Sequence, residues 1–483
     1  MNDASAQTPS MHIHLVAIGG TGMAPLACLL QDLGHRVTGS DGPLYPPMSD
    51  LLADAGIDPL VGFGPQNLDP SPDLVIIGNA VPRTNPEAVA AEEAGLELIS
   101  MPQALSRFLL SERKPLVVAG THGKTTTTSW ATWVWHECGR QPGYLIGGVP
   151  LDLDGSFAVG EGERFVIEGD EYNAAYFDRE AKFLHYQPET LVVTNVEFDH
   201  ADLYADEAAV VAAFRKLIAL LPESGTLVAC TDSPNVRELA PEAPCRVVTY
   251  AYEAEADVRP LEPPRADALG TSFCIRDLDG DEVELRIALW GEHNVANALA
   301  VYVAARTDGL SVEEAAAALG SFRGVKRRLE ELGVARSDEG DEGRRGVVVV
   351  DDFAHHPTEI GNSLHGLKER YPGRRVVALF EPRSLTAGRT GLEESYLEAF
   401  ARADAVLLAP VFHAERLGPE GTLDLAALAA RLEERGILAR ACASVDGVRA
   451  SALEWARPGD VLATMSSGSF EGLPRRLLAE LGP

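Results

Sequence analysis

One segment near residue 120 restricts the fold of this chain more than any other. Pro115–Ala119 is apolar and runs directly into Gly120–Thr128, which reads GTHGKTTTT, and a predicted helix, Thr125–Cys138, overlaps its end. A strand, a glycine turn and a helix in this order open a parallel α/β unit. Consecutive backbone N–H groups of such a turn can surround a phosphate, and the helix N-terminus adds a favourable potential. The segment therefore predicts a phosphate-binding loop.

Two side chains of the same turn suit phosphate chemistry. Lys124 supplies a point charge, and the Thr125 hydroxyl is a potential Mg²⁺ ligand. The turn departs from the common G-x-x-x-x-G-K-[ST] spacing, because position 118 is Val118 and the glycines are Gly120 and Gly123. A glycine turn with an incidental lysine is the alternative interpretation. The preceding strand and the threonine run argue against it.

The alternation of strand and helix recurs along the chain and predicts an α/β fold with three domains. A first unit opens with the strand His12–Ile18 and the helix Met23–Leu33, and a third follows the acid and glycine loop Asp338–Gly346 with the strand Val347–Asp351. Between them we expect a β-rich stretch at Arg246–Trp290 and one helical stretch at His293–Leu319, among other elements. We place the domains at residues 1–113, 114–325 and 326–483.

The charge of the chain limits what it can bind. Acidic residues number 72 and basic residues 41 among 483, so the formal net charge is −31. A polyanion would be repelled by this mean field, and we expect neither nucleic acid nor an anionic membrane as a partner. Any phosphate must be held by a local device such as the turn at Gly120.

The cysteines and the N-terminus predict a cytoplasmic protein. The six cysteines include no C-x-x-C pair, which argues against a zinc knuckle, a redox dithiol or a disulfide framework. Met1–Ser10 lacks the basic start and the apolar stretch of a signal peptide. No run approaches the roughly 20 apolar residues that a membrane span requires.

Acidic groups follow two predicted strands of the middle domain. These segments read EGDE at Glu168–Glu171 and NVEFDH at Asn195–His200. The carboxyl ends of parallel strands line one crevice, so both segments should face the phosphate loop. Mg²⁺ takes one or two carboxylates in ATP sites, and we select Glu168 and His200, with Thr125, as its ligands. Solvated acidic loops are the alternative.

Polar residues after the middle domain's β-rich stretch are candidate nucleotide contacts. Asn294 and Asn297 lie at a helix start, where one residue can cap the helix and the other can contact adenine. Arg327 can donate to a phosphate, with surface solvation as the alternative.

The third domain has further polar groups at strand ends. Asp351 ends one strand and His355 follows it, and Arg383 follows a strand at Val376–Phe380. An arginine in this position suits a substrate carboxylate. Plain surface loops are the alternative for both segments.

The N-terminal turn Gly19–Gly22 is a weak dinucleotide-type signal. Ala17 stands where the first glycine is expected, and Asp41 lies at about the spacing of a ribose-binding acid. Alone, the turn would suggest a dehydrogenase. Together with a phosphate loop downstream, it better suits a domain for a nucleotide-linked substrate.

Taken together, seven ordered motifs resemble the Mur ligase family of ATP-dependent amide-forming enzymes of peptidoglycan synthesis. They are GGTGM at 19–23, GTHGKTTT at 120–127, EGDEY at 168–172, NVEFDH at 195–200, GEHNVAN at 291–297, GVKRRLE at 324–330 and DDFAHHPT at 351–358. The resemblance implies a Rossmann-like UDP-sugar domain, a central phosphate-loop ATPase and a Rossmann-like C-terminal domain for the incoming amine. It also implies ATP and Mg²⁺ as cofactors.

The resemblance also implies roles for single residues within these and nearby segments. It implies that Lys124, Glu168 and His200 are catalytic and that His355 and Arg383 face the amine. Gly19, Gly20, Thr21, Gly22 and Asp41 hold the UDP moiety. The ATP-binding set is Gly120, Thr121, His122, Gly123, Lys124, Thr125, Thr126, Asn294, Asn297, Arg327 and Asp351.

Two members of the family accept UDP-N-acetylmuramate, and they differ in the amine. One adds L-alanine, and the other attaches the recycled tripeptide L-alanyl-γ-D-glutamyl-meso-diaminopimelate. The segments at 45–49 (YPPMS), 73–80 (DLVIIGNA), 177–186 (FDREAKFLHY) and 381–384 (EPRS) look like the tripeptide enzyme, whereas Leu385 departs from the polar residue expected there. We therefore favour tripeptide ligation by a monomer or weak homodimer. The L-alanine ligase, a sugar-nucleotide oxidoreductase and a nucleotide-gated binding protein stay as alternatives.

Overall fold

Three large, mostly parallel sheets in chain order organise the described residues, and a fourth, small antiparallel sheet accompanies the second. The structure is a computed structural model that describes residues 10–199, 203–335 and 346–482. The sheets lie within residues 12–100, 114–287 and 330–465, and most of their strand pairs are parallel. The predicted α/β fold class is confirmed.

The N-terminal domain is a five-stranded parallel sheet in the order β3-β2-β1-β4-β5. Its strands β1 and β4 are almost completely buried, which fits their continuous apolar sequence. The chain reverses its strand order between β1 and β4, and this creates a crevice at their carboxyl ends. The elements are β1 (His12–Val16), α1 (Met23–Asp32), β2 (Arg36–Asp41), α2 (Met48–Asp54), β3 (Leu60–Val61), β4 (Leu74–Ile77), α3 (Pro86–Glu93), β5 (Leu98–Ser100) and α4 (Met101–Leu105).

The central domain has a seven-stranded sheet in the order β12-β11-β10-β6-β9-β7-β8 and a separate three-stranded antiparallel sheet, β13-β14-β15. Its elements are β6 (Lys114–Ala119), α5 (Lys124–Glu137), β7 (Gly143–Leu145), β8 (Phe157–Ala158), β9 (Arg164–Gly169), β10 (Thr190–Val193), α6 (Glu207–Ile218), β11 (Thr226–Cys230), α7 (Pro234–Leu239), β12 (Arg246–Tyr250), β13 (Arg265–Asp267), β14 (Gly270–Arg276), β15 (Glu282–Ile287), α8 (Glu292–Thr307) and α9 (Val312–Ser321).

Strand β6 lies between β10 and β9, so the segments that follow all three strands meet at one edge. Helix α8 is buried along most of its length, because α5 packs on it and the antiparallel sheet shares its apolar cluster. Trp130 of α5 stacks on Phe322 with ring centroids 4.9 Å apart. This packing fixes the direction in which α5 leaves the phosphate loop.

The C-terminal domain is a six-stranded sheet in the order β16-β17-β21-β18-β19-β20. Only the edge pair β16 and β17 is antiparallel among its strand pairs in the described ranges. The elements are β16 (Glu330–Val334), β17 (Val348–Asp352), α10 (Pro357–Arg370), β18 (Val376–Phe380), α11 (Glu393–Phe400), β19 (Ala405–Leu408), α12 (Ala414–Leu417), α13 (Leu425–Glu434), β20 (Leu438–Ala441), α14 (Val445–Trp455), β21 (Val461–Met465) and α15 (Leu473–Leu481).

Two details differ from the sequence prediction. The helical stretch predicted at His293–Leu319 consists of two helices, because α8 ends at Thr307 and the Ser311 side chain accepts a hydrogen bond from the Glu314 amide to start α9. The segment at 330–334, which we had not assigned to a strand, forms β16. Of the predicted loop at 338–346, residues 338–345 lie outside the described part of the chain.

Candidate functional site

The predicted phosphate loop is a tight turn between β6 and α5. Gly120 and Gly123 have φ values of +144° and +81°, which side chains other than glycine rarely adopt. A Cβ on Gly120 would lie 2.0 Å from Thr194 Oγ1. The amides of Thr121 and His122 donate to the backbone and side-chain oxygens of Asn195, at 3.0 and 2.8 Å. The loop is therefore held rigidly against the segment that follows β10.

The Lys124 ammonium lies over this turn. It donates to Glu171 Oε2 at 3.0 Å and to the backbone oxygen of Thr121 at 3.2 Å. Burial alone would lower the pKa of Lys124, but the neighbouring carboxylates of Glu171 and Asp170 raise it above its ordinary value. Lys124 is consequently a fixed positive charge beside the loop, as phosphate binding requires.

Thr125 and Glu168 form the pair of oxygen ligands that we predicted for Mg²⁺. The Thr125 hydroxyl donates to Glu168 Oε2 at 3.1 Å, and the Gly147 amide donates to Glu168 Oε1 at 2.7 Å. Burial and the neighbouring Asp170 raise the pKa of Glu168 to about 7. A buried carboxylate of this kind is stabilised by a cation, so the pair fits a small hard ion. The third predicted ligand, His200, lies outside the described residues.

Arg328 is the arginine that reaches this pair, and the sequence did not distinguish it from its neighbour. Its Nη2 donates to Thr125 Oγ1 at 3.2 Å. The predicted phosphate ligand Arg327 instead donates to the backbone oxygen of Ser466 at 2.8 Å and lies 3.5 Å from Asp351. The φ of Arg327 is +59°, a turn that points the two consecutive side chains in different directions.

A cavity of about 1170 Å³ lies between the central and C-terminal domains. Its wall includes Gly123, Thr125, Asn294, Asn297 and Arg328. Asp352 also lines it, whereas Asp351, which we predicted to bind ATP, does not. Burial raises the pKa of Asp352 to about 6. The cavity has ample room for a nucleotide beside the phosphate loop.

Of the two asparagines of α8, Asn297 connects this helix to α5, whereas Asn294 contacts the segment that precedes α8. Asn297 Oδ1 accepts from the Thr127 hydroxyl at 3.1 Å, and Asn294 Nδ2 donates to the backbone oxygen of Trp290 at 2.8 Å. Neither is the N-cap of α8, which is Gly291. Both residues lie at the cavity wall, the position needed for the predicted adenine contact.

In the N-terminal domain, the turn of the predicted UDP site is held by a hydrogen bond to the Asp41 carboxylate. Asp41 accepts from the amides of Gly19 and Gly42, each at 2.7 Å. A Cβ on Gly19 would lie 2.1 Å from Leu44 Cδ2, so a larger residue would require the Leu44 side chain to move. The turn lies at the carboxyl edge of the sheet, next to the reversal of strand order.

The two predicted amine contacts lie at the carboxyl edge of the C-terminal sheet. His355 Nδ1 is 3.2 Å from Glu359 Oε2. The Arg383 guanidinium stacks 3.9 Å from the ring centroid of Phe412 and lies 3.6 Å from Glu381 Oε2. Arg383 is thus held in one orientation by a ring and a carboxylate.

A polar cluster joins the phosphate loop to the start of α10, and sequence reasoning missed it. His122 lies between Glu197 Oε2, 3.3 Å from Nε2, and Glu359 Oε1, 3.1 Å from Nδ1. The Thr358 hydroxyl donates to Glu197 at 2.9 Å, and the rings of His122 and His356 are 4.7 Å apart. No local sequence signal could have revealed this cluster, since its members are far apart in the chain.

Comparisons with known proteins identify the class of protein. Residues 12–113 match the model of the Mur ligase family catalytic domain, residues 118–305 match the Mur ligase middle domain, and residues 339–468 match the Mur ligase glutamate ligase domain. The chain belongs to the Mur ligase family. The predicted family and the predicted ATP-dependent ligase activity are confirmed.

Individual relatives cover almost the whole chain. A UDP-N-acetylmuramate–L-alanyl-γ-D-glutamyl-meso-2,6-diaminoheptandioate ligase of Escherichia coli is 39% identical over 97% of this chain and 98% of its own. The crystal structure of a murein peptide ligase from Psychrobacter arcticus has a TM-score of 0.70 at 33% identity, covering 98% of this chain and 99% of that one. A UDP-N-acetylmuramate–alanine ligase from Thermotoga maritima has a TM-score of 0.76 at 25% identity, covering 97% and 99%. Among the described residues, no helix is both long and apolar enough to cross a membrane.

Proposed function

We propose that this protein joins the tripeptide L-alanyl-γ-D-glutamyl-meso-diaminopimelate to UDP-N-acetylmuramate, with ATP converted to ADP and phosphate, in the recycling of peptidoglycan. The observation that carries the chemistry is that Thr125, at the wall of a nucleotide-sized cavity, contacts both Glu168 and Arg328 and directly follows Lys124 in the phosphate loop. The choice of substrates is supported by the activity of the Escherichia coli relative, a UDP-N-acetylmuramate–L-alanyl-γ-D-glutamyl-meso-2,6-diaminoheptandioate ligase. We also infer that the reaction takes place in the cytoplasm.

The reaction has two steps. A carboxylate oxygen of UDP-N-acetylmuramate attacks the γ-phosphorus of ATP, the bond between that phosphorus and ADP breaks, and an acyl phosphate forms. The amine nitrogen of the tripeptide then attacks the acyl carbon, loses a proton and displaces phosphate, which leaves with the former carboxylate oxygen. Both steps depend mainly on positioning and charge neutralisation.

The residues of the phosphate loop neutralise charge in the first step. Lys124 faces the β and γ phosphates, and Arg328 adds a second cation from the linker between domains. Thr125 and Glu168, with His200, would hold Mg²⁺, which when bound neutralises charge on the phosphate oxygens. Arg327 was our predicted phosphate ligand, and the position of Arg328 at the Thr125 hydroxyl supports Arg328 for this role.

Asn294 and Asn297 of the central domain would contact the adenine of ATP. Binding of the two other ligands is assigned to the outer domains, where Gly19–Gly22 and Asp41 would hold the UDP moiety. His355 and Arg383 would bind the tripeptide, whose carboxylates suit a guanidinium held in place by Phe412.

Release of phosphate is the readout that tests this proposal. We expect phosphate release only when ATP, UDP-N-acetylmuramate and the tripeptide are all present, and a loss of about 100-fold or more in Lys124→Ala. Lys216→Ala is the matched control, because Lys216 is an exposed lysine of the same domain that pairs with Glu180. Undiminished turnover in Lys124→Ala would contradict the site.

The L-alanine ligase is the second candidate, because the fold matches the Thermotoga maritima alanine ligase with a TM-score of 0.76. The two candidates differ only in the amine. Turnover with L-alanine at or above the rate with the tripeptide would favour the second candidate and contradict the first.

A further inference from the structure

A single carboxylate contacts both the phosphate loop and the predicted amine site. Glu359 Oε1 lies 3.1 Å from Nδ1 of His122, a residue of the phosphate loop. Its other oxygen, Oε2, lies 3.2 Å from Nδ1 of His355 and accepts from the His355 amide at 3.1 Å. The two oxygens of one side chain thus serve two different parts of the site.

Glu359 depends on both histidines for its charge. Its side chain is 17% exposed, so water supplies little solvation. Burial would raise the pKa of Glu359, yet His355 and His122 hold it well below its ordinary value. When one partner moves away, the carboxylate is left buried with half of its compensation, which is strongly unfavourable. Each histidine contact therefore strengthens the other.

The same carboxylate lies at the boundary between two domains. His122 belongs to the loop after β6, whereas His355 and Glu359 belong to the C-terminal domain, at the start of α10. A second bridge, from the Thr358 hydroxyl to Glu197 at 2.9 Å, lies alongside. The contact between His122 and Glu359 exists only when the C-terminal domain is docked on the phosphate loop.

We propose that Glu359 is a positioning residue that couples nucleotide binding in the phosphate loop to amine binding at His355. This inference rests on the proposed function for the identity of the amine. A nucleotide that fixes the loop holds His122 in place, His122 holds Glu359, and Glu359 holds His355 toward the amine. By thermodynamic linkage, the amine strengthens nucleotide binding by the same factor.

The variant Glu359→Gln tests this coupling without removing the helix start. Glu359 is the third residue of α10 and accepts from amides there, and glutamine also serves at this position of a capping box. The variant removes the charge that holds both histidines. Glu369→Gln is the matched control, because Glu369 lies on the same helix and accepts from the Gly291 amide of the central domain at 2.8 Å, away from both histidines.

The measurement is the dissociation constant of the tripeptide by calorimetry, with and without a non-hydrolysable ATP analogue and Mg²⁺, at saturating UDP-N-acetylmuramate. In the wild-type protein and in Glu369→Gln, we expect the analogue to tighten tripeptide binding by about tenfold or more. In Glu359→Gln, we expect the analogue to tighten tripeptide binding by less than about threefold. Thermal unfolding of each variant checks that it is folded.

The decisive quantity is the ratio of the tripeptide dissociation constants without and with the analogue. Three results would overturn the coupling: the wild-type ratio in Glu359→Gln, an equal fall of this ratio in Glu369→Gln, or no effect of the analogue on the wild-type protein. If Glu359→Gln does not fold, His122→Gln removes the loop side of the contact, together with the His122 contact to Glu197. It should also lose the effect of the analogue on tripeptide binding, and a retained effect would contradict the proposal. If L-alanine binds and the tripeptide does not, the proposed function is wrong, and the same ratio measured with L-alanine still decides the coupling.

Discussion

Two consecutive arginines have different surroundings, and this gives a prediction at the scale of single residues. Arg328 donates to Thr125 in the phosphate site, whereas Arg327 donates to backbone oxygens of the C-terminal domain. We expect Arg328→Ala to lower kcat by about 10- to 100-fold with little change in thermal stability. Arg327→Ala should instead lower the free energy of unfolding by about 1–3 kcal/mol. Steady-state kinetics and thermal melts of both variants separate a role in phosphate binding from a role in stability. An equal loss of kcat in the two variants would contradict the assignment of Arg328 to the phosphate site.

His122 gives a second prediction at this scale, for the protein without ligands. Burial would lower the pKa of His122, but the hydrogen bonds that its ring donates to the carboxylates of Glu197 and Glu359 raise it to about 10. Because the folded pKa lies above the unfolded one, the stabilisation is fully present below about pH 6.5 and is lost as pH rises through about 10. The neighbouring His356 has its pKa lowered to about 4 by burial and by His122, so it serves as an internal control.

The measurement is a ¹⁵N NMR titration of the histidine rings. At pH 8 the ring of His122 should carry protons on both nitrogens, while that of His356 should be neutral. In Glu359→Gln the pKa of His122 should fall. A midpoint for His122 near 6.5 in the wild-type protein would show that the cluster does not hold a charged imidazole.

At the scale of elements, the turn between β6 and α5 should tolerate no side chain at Gly120. An added Cβ would meet Thr194 Oγ1 at 2.0 Å and the backbone of Asn195 at about 3 Å. We expect Gly120→Ala to destabilise the protein by about 1–3 kcal/mol and to weaken nucleotide binding at least tenfold.

Gly139→Ala is the control for this turn. Gly139 follows the C-terminal end of α5 with φ +69°, and a Cβ there would have no heavy atom within 4 Å. The free energy of unfolding of this variant should fall by about 1 kcal/mol, because alanine is unfavourable in the left-handed conformation, and its nucleotide affinity should not change. Calorimetric binding of an ATP analogue to both variants is the measurement, and equal affinities would mean that the turn does not contact the nucleotide.

Continuous apolar strands were the elements that the sequence located best. The strand at Val376–Phe380 was predicted with its observed bounds, and β6 begins one residue before the predicted start at Pro115. Both strands are buried on two faces, so hydrophobicity alone marks them. Strand β16 has the polar sequence Glu330–Val334 and lies at a sheet edge, where burial imposes no clear pattern. The formation of such an edge strand depends more on pairing with its neighbour, here β17, than on its own sequence.

For the molecule as a whole, the sequence predicted which segments contribute residues to the site, but it did not predict how the C-terminal domain packs on the central domain. Lys124 and Thr125 follow β6, and Glu168 lies near the carboxyl end of the neighbouring parallel strand β9, so topology alone brings them together. His122 and Glu359 are 237 residues apart and meet only because two domains are docked. Local patterns carry no information about such a contact, and the same holds for the approach of Arg328 to Thr125.

The central claim is that the phosphate loop transfers the γ-phosphoryl group of ATP to the carboxylate of UDP-N-acetylmuramate before the amine arrives. The direct test uses UDP-N-acetylmuramate with ¹⁸O at both oxygens of that carboxylate, together with ATP and the tripeptide, and mass spectrometry of the released phosphate. We expect one ¹⁸O atom in each phosphate, because the bridging oxygen of the acyl phosphate leaves with phosphorus. Phosphate free of ¹⁸O would contradict the account.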